Sequence, residues 1–398
     1  MVRRLICSAV LHASGEIGKS VLGPGFISVV FKEQDRRQTM ASKPGKSKSA
    51  TIRRTRRATQ RLTMSDVANT ANVSPSTVSL YLRKPEAVSQ ELAERVQKVI
   101  DDLGYVPNLM AGSLASARSR IIGVILPSIV NSFYAETYNT LQSVFHASQY
   151  QTFLGVSDFL PEREEELIRA FLASLPAAMV LTGLTHTDRA RTMLRAAGIP
   201  IIEIWDMPSD GLSSVDMSVG FSHAEVGRRQ TAHLYDQGSR KVAYIGAAIH
   251  QDIRVRSRTD GYEKEVRRRG LHDPIAFTAP DTASTPVGIW LIDEVLTVHP
   301  DIDGVVCSND ALALGVLFEA HRRGLKVPED LAVIGFGDLT FSNSCQPPLT
   351  TIRPPQRQIG RIAADQVVAR LDGKDIPSTH TNLECELVVR DSTKPIKA

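Results

Sequence analysis

This 398-residue chain is poor in the features that announce secretion, membrane insertion or catalysis. Its four cysteines, Cys7, Cys307, Cys345 and Cys385, form neither the close pairs of a zinc site nor the density of a disulfide scaffold, so a reducing cytoplasm is the simplest compartment. In Gly304-Val305-Val306-Cys307 the thiol reads as a small buried hydrophobe in a parallel strand. No apolar run is long enough for a membrane span. No Gly-rich phosphate loop follows a strand, no Gly-x-Ser-x-Gly elbow occurs, and no histidines pair at metal-ligand spacing. These gaps argue against an enzyme and leave no cofactor or metal to expect.

Acid is almost missing from one end of the chain. Residues 1–62 hold 14 Lys and Arg against 3 acids, residues 63–120 are balanced, and residues 121–398 are acidic, within an overall charge of +4. The excess sits in Lys43, Lys46, Lys48, Arg53, Arg54, Arg56, Arg57 and Arg61, a run that gathers phosphate or else forms a solvated tail. Ahead of it, Arg3-Arg4 and a short apolar run broken by His12 imitate a signal peptide only weakly. Met40-Ala41-Ser42-Lys43 looks like a true start, and residues 1–60, without periodicity, are expected to be a disordered basic extension. The remainder, in a chain 42% apolar and 23% charged, suffices for two or three packed domains.

What is present begins at Thr63. Thr63 caps a first helix with Asp66 as acidic partner, and Val67, Ala68 and Ala71 supply its apolar stripe. The turn falls at Asn72. Ser74 caps a second helix, Pro75 takes its first position, and Val78 and Leu82 point inward at four-residue spacing. Pro75, Ser76, Ser79, Leu80 and Arg83 face out, a small polar face suited to a major groove. A third amphipathic helix starts near Ser89 and ends at Leu103-Gly104-Tyr105-Val106-Pro107-Asn108.

From residue 121 apolar strands alternate with amphipathic helices: strands at 121–126, 151–156, 178–181, 199–205 and 217–219, with helices at 132–147 and 162–175. A second half runs through strands at 241–246, 275–278, 304–307 and 331–335, and a late return to the first half is expected through 351–353. The pattern implies two lobes of doubly wound parallel sheet with a cleft at the carboxyl ends of the strands.

The helical segment, the Gly-Tyr-x-Pro-Asn run and the two-lobed pattern together resemble the LacI/GalR family of bacterial transcription regulators. The resemblance spans about residues 62–392, and runs such as Leu181-Thr182-Gly183-Leu184-Thr185-His186-Thr187 and Ile204-Trp205-Asp206 are most similar to its gluconate-responsive branch. It implies a helix-turn-helix headpiece over 61–107, a hinge helix over 108–119, and a periplasmic-binding-protein-like effector and dimerisation core over 120–398. It further implies a homodimer on a near-palindromic operator, with Leu114 wedging into a central base step, and the tail at 391–398 lacks the heptads of a coiled-coil tetramer.

Residue by residue, the DNA contacts implied are Thr63, Ser74, Pro75, Ser76, Thr77, Ser79, Leu80, Arg83, Asn108, Ala111 and Leu114. The effector contacts are Arg258, which suits a carboxylate, and Asp310, which suits hydroxyls, with Ser128, Asn131, His186, Asp206 and Asp338 at loop ends around the same cleft. Competing readings are a surface arginine for Arg258 and a helix N-cap for Asp310. Departures from the family pattern are Asn72 for a turn glycine, Leu80 for a frequent arginine, Arg83-Lys84 for asparagines, Gly112 in the hinge, and Ser222-His223 for an acidic-amide pair. Against a DNA-binding repressor controlled by a sugar acid stand a solute-binding protein for sugar uptake, a family member sensing a neutral sugar or purine, and an enzyme on the same scaffold.

Overall fold

The local capping signals decide where the first helices start. A computed structural model of the chain describes residues 62–106, 119–129, 133–209, 212–247 and 252–393. Helix α1 (Met64–Thr70) opens with a full capping box: Thr63 Oγ1 accepts from the Asp66 amide while Asp66 Oδ2 accepts from the Thr63 amide at 2.7 Å. Asn72 turns the chain with φ 53°, a left-handed backbone that asparagine tolerates. Helix α2 (Pro75–Arg83) follows, capped by Ser74 with Pro75 in its first turn. Helix α3 (Gln90–Leu103) stops at Gly104, whose φ of 62° ends it. Val67, Ala68, Ala71, Val78, Val96, Ile100 and Tyr105 form the common core of the three helices. The basic extension at 1–60 and the hinge residues Asn108, Ala111, Gly112 and Leu114 lie outside the described residues.

The first lobe carries β1 (Ile121–Leu126), β2 (Gln151–Val156), β3 (Ala178–Thr182), β4 (Ile201–Trp205) and β5 (Met217–Gly220), with α4 (Ala135–Ala147), α5 (Pro161–Ala173) and α6 (Asp188–Ala196) between them. The second carries α7 (His223–Asp236), β6 (Val242–Ala247), α8 (Ile253–Arg269), β7 (Ile275–Ala279), α9 (Thr285–Val298), β8 (Gly304–Cys307), α10 (Asp310–Arg323), β9 (Ala332–Phe336) and β10 (Thr350–Arg353). Helix α11 (Gln356–Leu371) and β11 (His380–Asn382) return to the first lobe, and β12 (Glu386–Val388) goes back to the second. The sheet orders are β11-β5-β4-β3-β1-β2 and β12-β10-β9-β8-β6-β7.

Among these strands every pairing is parallel except β10 with β12. Helices lie on both faces of each sheet, as continuous apolar strands require, while Phe153 and Leu154 on the edge strand β2 stay exposed. Leu141 and Phe145 of α4 join Ile359, Ala363 and Val367 of α11 over one face of the first sheet, and Ile168, Ala190 and Leu194 cover the other. In the second lobe Leu291, Ile292, Leu312 and Val316 oppose Leu234, Tyr262 and Val266.

Two sequence expectations change. Thr351-Ile352-Arg353 is not itself the return to the first half: it pairs with β9 and β12 in the second sheet, and the crossing is made by α11 and β11. Asp310 is not the N-cap of its helix; Asn309 is, its side chain accepting from the Leu312 amide at 3.1 Å, which leaves the Asp310 carboxylate free for other bonds.

Candidate functional site

Loops at the carboxyl ends of the strands gather in one cluster of charge and aromatic rings. Trp205, at the end of β4, is fully buried with φ 78°, a left-handed backbone that costs a bulky residue about 1–3 kcal/mol and that marks functional sites. Its ring packs with Phe133, Tyr134 and Phe221, and Phe336 at the end of β9 closes the group. Against this apolar wall lie Arg254, Arg258, Asp206, Asp252 and His223.

Arg258 is buried, 4% exposed, on α8, not on the surface. Its guanidinium stands 4.6 Å from the Phe336 ring and its Nη1 donates to His223 Nδ1 at 2.8 Å, while its Nε has no partner among the described residues. Because Nδ1 accepts, His223 is the neutral tautomer with its proton on Nε2, donated to the Trp205 carbonyl at 3.1 Å beside Asp206 Oδ1 at 3.2 Å. Burial holds this histidine below the usual range, Asp206 pulls it up, and the Arg258 charge reinforces the depression.

Arg254, one turn earlier on α8, is equally buried but is paired. Its Nε lies 3.0 Å from Asp252 Oδ1 and its Nη1 3.5 Å from Asp206 Oδ2. Burial opposes its charge, and the neighbouring carboxylates outweigh burial to keep it protonated. Burial likewise raises Asp206, but Arg254 and His223 more than cancel it and hold the carboxyl below the ordinary value. Gly183, φ +96°, makes this approach possible: a Cβ there would stand 2.9 Å from Arg254 Nη1 and 3.1 Å from Asp206 Oδ2. Since Asp206 belongs to the first lobe and Arg254 to the second, the pair ties the lobes across the cleft.

The cleft beside Arg254 is small, about 70 Å³, and is lined by Ser157, Glu164, Thr182, Thr185, Asp252 and Arg254 among others. Ligand pockets run from about 300 Å³ upward. Asp206 and Asp252 meet Arg254 beside this cavity.

The other expected contacts fall differently. His186 is fully enclosed behind the cleft wall, its Nδ1 2.7 Å from Glu164 and its Nε2 3.0 Å from Glu203. Burial would depress it, but the two carboxylates prevail and push it up to about 9. It positions Glu164, which does line the cleft. Asp310 is fully buried and accepts from Thr351 Oγ1 at 2.6 Å, the Leu339 amide at 2.8 Å and Ser342 Oγ at 2.8 Å. Burial raises its carboxyl above the usual value and these donors work against the rise. It organises the loop after β9. Asp338, φ 50°, in that loop, accepts from Arg353 and Arg390 at 2.7 Å each. Ser128 is half-buried at the end of β1, and Asn131 lies outside the described residues.

Arg254, His223 and Glu164 do not stand out as site residues in the sequence. The only signals for them are the departure Ser222-His223 and an arginine one helical turn before Arg258.

In the headpiece, Pro75, Ser76, Leu80 and Arg83 are exposed on α2, with Leu80 at 36%. Thr77 and Ser79 are half-buried. Ser74 spends its hydroxyl on capping, accepting from the Thr77 amide at 3.1 Å with Ser76 Oγ 2.7 Å away, and Thr63 spends its own on the capping box. Arg83 Nε donates back to the Ser79 carbonyl at 3.2 Å, laying the side chain along the helix, and it forms no ion pair among the described residues.

Residues 63–108 match the family model "Bacterial regulatory proteins, lacI family", and residues 231–393 match "Periplasmic binding protein-like domain". The chain is 39% identical over 339 residues to the HTH-type transcriptional regulator GntR of Pseudomonas aeruginosa, covering 85% of this chain and 97% of that one. The chain belongs to the LacI family. Against the GntR regulator of Escherichia coli K12 the identity is 37%, over 80% of this chain and 94% of the relative. A LacI family regulator from Silicibacter pomeroyi superposes with TM-score 0.78 at 33% identity, over 84% of this chain and all of that one. The lac repressor dimer bound to operator and an anti-inducer superposes with TM-score 0.71 at 25% identity, over 84% and 100%.

As a LacI-family member this protein is a DNA-binding transcriptional regulator and not an enzyme, and the solute-binding alternative falls with the headpiece match. Among the described residues no helix is long and apolar enough to cross a membrane.

Proposed function

We propose that this regulator is a cytoplasmic homodimeric repressor whose affinity for a near-palindromic operator is set by a sugar acid of the gluconate type held between the two lobes. The observation that carries the effector class is Arg258: a buried guanidinium with a neutral histidine and an aromatic face as neighbours, an unpartnered Nε, and no ion pair among the described residues. A buried charge left in this state is costly unless a ligand supplies the counter-charge. A carboxylate does so with two parallel hydrogen bonds, and the hydroxyls of the same molecule suit Glu164, Thr182 and Thr185 further along the cleft.

Binding then trades the Arg254–Asp206 tie for contacts to the ligand and resets the angle between the lobes. Residues 108–119, with Asn108, Ala111 and Leu114, are where that change reaches DNA: hinges of two subunits order together in the minor groove while Pro75, Ser76, Thr77, Ser79, Leu80 and Arg83 face the major groove. Coupling of about 1–3 kcal/mol yields a 5- to 150-fold change in operator affinity. Calorimetry of the full chain with D-gluconate, D-glucitol and hypoxanthine tests the effector class. D-Gluconate is expected to bind at least tenfold more tightly than the other two, and equal or weaker binding overturns the reading.

A further inference from the structure

His223 stands where the sequence departs from its family, and it occupies the centre of the charged cluster. Its side chain is buried, 6% exposed, and both ring nitrogens are engaged: Nδ1 accepts from Arg258 Nη1 at 2.8 Å, and Nε2 donates to the Trp205 carbonyl at 3.1 Å. The groups that face it are Asp206 from the loop after β4, Arg254 and Arg258 from α8, and the rings of Phe221 and Phe336 at 4.5 and 6.1 Å. Cys385, ahead of β12, also feels Arg258, but burial pushes its thiol up to about 12 and it stays neutral. Burial raises the Tyr134 phenol as well, and it too stays neutral.

The charged neighbours of the neutral imidazole are therefore Arg254, Arg258 and Asp206. An incoming carboxylate pairs with Arg258 and draws its guanidinium away from His223. When Arg258 turns its fork to the ligand, His223 Nδ1 loses its donor, and a proton taken there from solvent lets the ring donate to the same carboxylate while Nε2–H keeps its bond to Trp205.

We propose that His223 is a specificity residue for an anionic effector, contacting the ligand carboxylate beside Arg258 and gaining one proton as the ligand binds. This rests on the sugar-acid reading above, and the two fail in different ways. Neutral ligands leave Nδ1 bonded to Arg258 and give no reason for the proton. Because the free state holds no proton on Nδ1 and the bound state does, affinity for the anion falls as pH rises from the free-state value to the bound-state value, by up to about tenfold per pH unit.

The test is calorimetry of the full chain with D-gluconate at pH 7.5, in phosphate, imidazole and Tris buffers of different ionisation enthalpy. Uptake close to one proton per site is expected, together with a Kd that rises between pH 7 and 8.5. His223→Asn is expected to weaken D-gluconate about tenfold at pH 7, to abolish the proton uptake and to flatten the pH profile, with a smaller loss for D-glucitol. Tight D-gluconate binding by the wild type without proton uptake overturns the role of His223 and leaves the effector reading standing, as does uptake that survives in His223→Asn. Absence of D-gluconate binding at every pH overturns both. The wild-type measurement decides the matter even if the variant fails to fold.

Discussion

Arg258→Met removes a charge while keeping most of the bulk, and the structure assigns opposite effects to binding and to stability. In complex with a sugar acid the guanidinium forms a charge-assisted pair with the carboxylate, worth about 1.5–3 kcal/mol, so the Kd for D-gluconate is expected to rise roughly 10- to 150-fold. D-Glucitol, which offers no carboxylate, is expected to change less than about threefold. Without ligand the same guanidinium is a buried charge with no ion pair among the described residues, bonded to the neutral groups His223 and Tyr244, and replacing buried ionic groups by apolar ones is often neutral or stabilising by about 1–4 kcal/mol. Removing the cation from the Phe336 face takes back about 1 kcal/mol. The unfolding temperature of the ligand-free variant should therefore be unchanged or higher by a few degrees. Calorimetric titration and thermal unfolding read the two effects separately. Equal weakening of both ligands, or a ligand-free variant that melts more than about 5 °C lower, would refute the assignment of Arg258 as an anion site held ready at a cost in stability.

Three further outcomes follow from other parts of the molecule. Val78→Ala empties a fully buried position in the apolar core of the headpiece, costs about 1.5–3 kcal/mol, and should abolish DNA binding in fluorescence anisotropy while leaving D-gluconate calorimetry unchanged. His186 is raised in the folded protein to about 9 from an ordinary value near 6.5, so its contribution to stability, about 3 kcal/mol, is complete below pH 6.5 and is lost as pH climbs through 9; urea unfolding of the ligand-free protein should show that slope, and His186→Gln should remove it. Deleting residues 1–60 should make DNA binding less sensitive to salt, by about 0.9 in log–log slope for every phosphate that the segment neutralises, and an unchanged slope would assign it no role on DNA.

The sequence spoke clearly where structure is decided locally. The capping box at Thr63 and Asp66, the left-handed Asn72, and Ser74-Pro75 lie where the residues demand them, because each depends on neighbours within a single helical turn. The buried strands Ile121–Leu126 and Gly304–Cys307, and the more exposed Gln151–Val156, were readable at both ends, since apolar runs bounded by turns leave little choice. Pro200 trims the strand expected from 199, which starts at Ile201. Long-range pairing was not legible. Thr350–Arg353 joins the second sheet because β9 and β12 flank it there, and those partners are distant in the chain and leave no mark on the local pattern.

The site shows the same division. Arg258 and Asp310 stand out by motif, but whether a carboxylate meets a ligand or its own loop depends on which donors the fold brings close, and Thr351, Leu339 and Ser342 claim Asp310. His186 reads as a loop-end residue, yet Glu164 and Glu203 converge on it from α5 and β4. Arg254 reads as one of several arginines on a helix, and only the positive φ of Gly183 and the turn at Trp205 make it face Asp206.

In the proposed mechanism a ligand between the lobes controls the grip on DNA. Its most direct test is the affinity of the full chain for an operator selected from a random DNA library, measured by fluorescence anisotropy at fixed salt with and without saturating D-gluconate, in the wild type and in Arg258→Met. A 5- to 150-fold shift is predicted in the wild type, vanishing in the variant at the same ligand concentration. An operator affinity that D-gluconate leaves unchanged, although calorimetry shows it bound, would contradict control of DNA binding by this ligand.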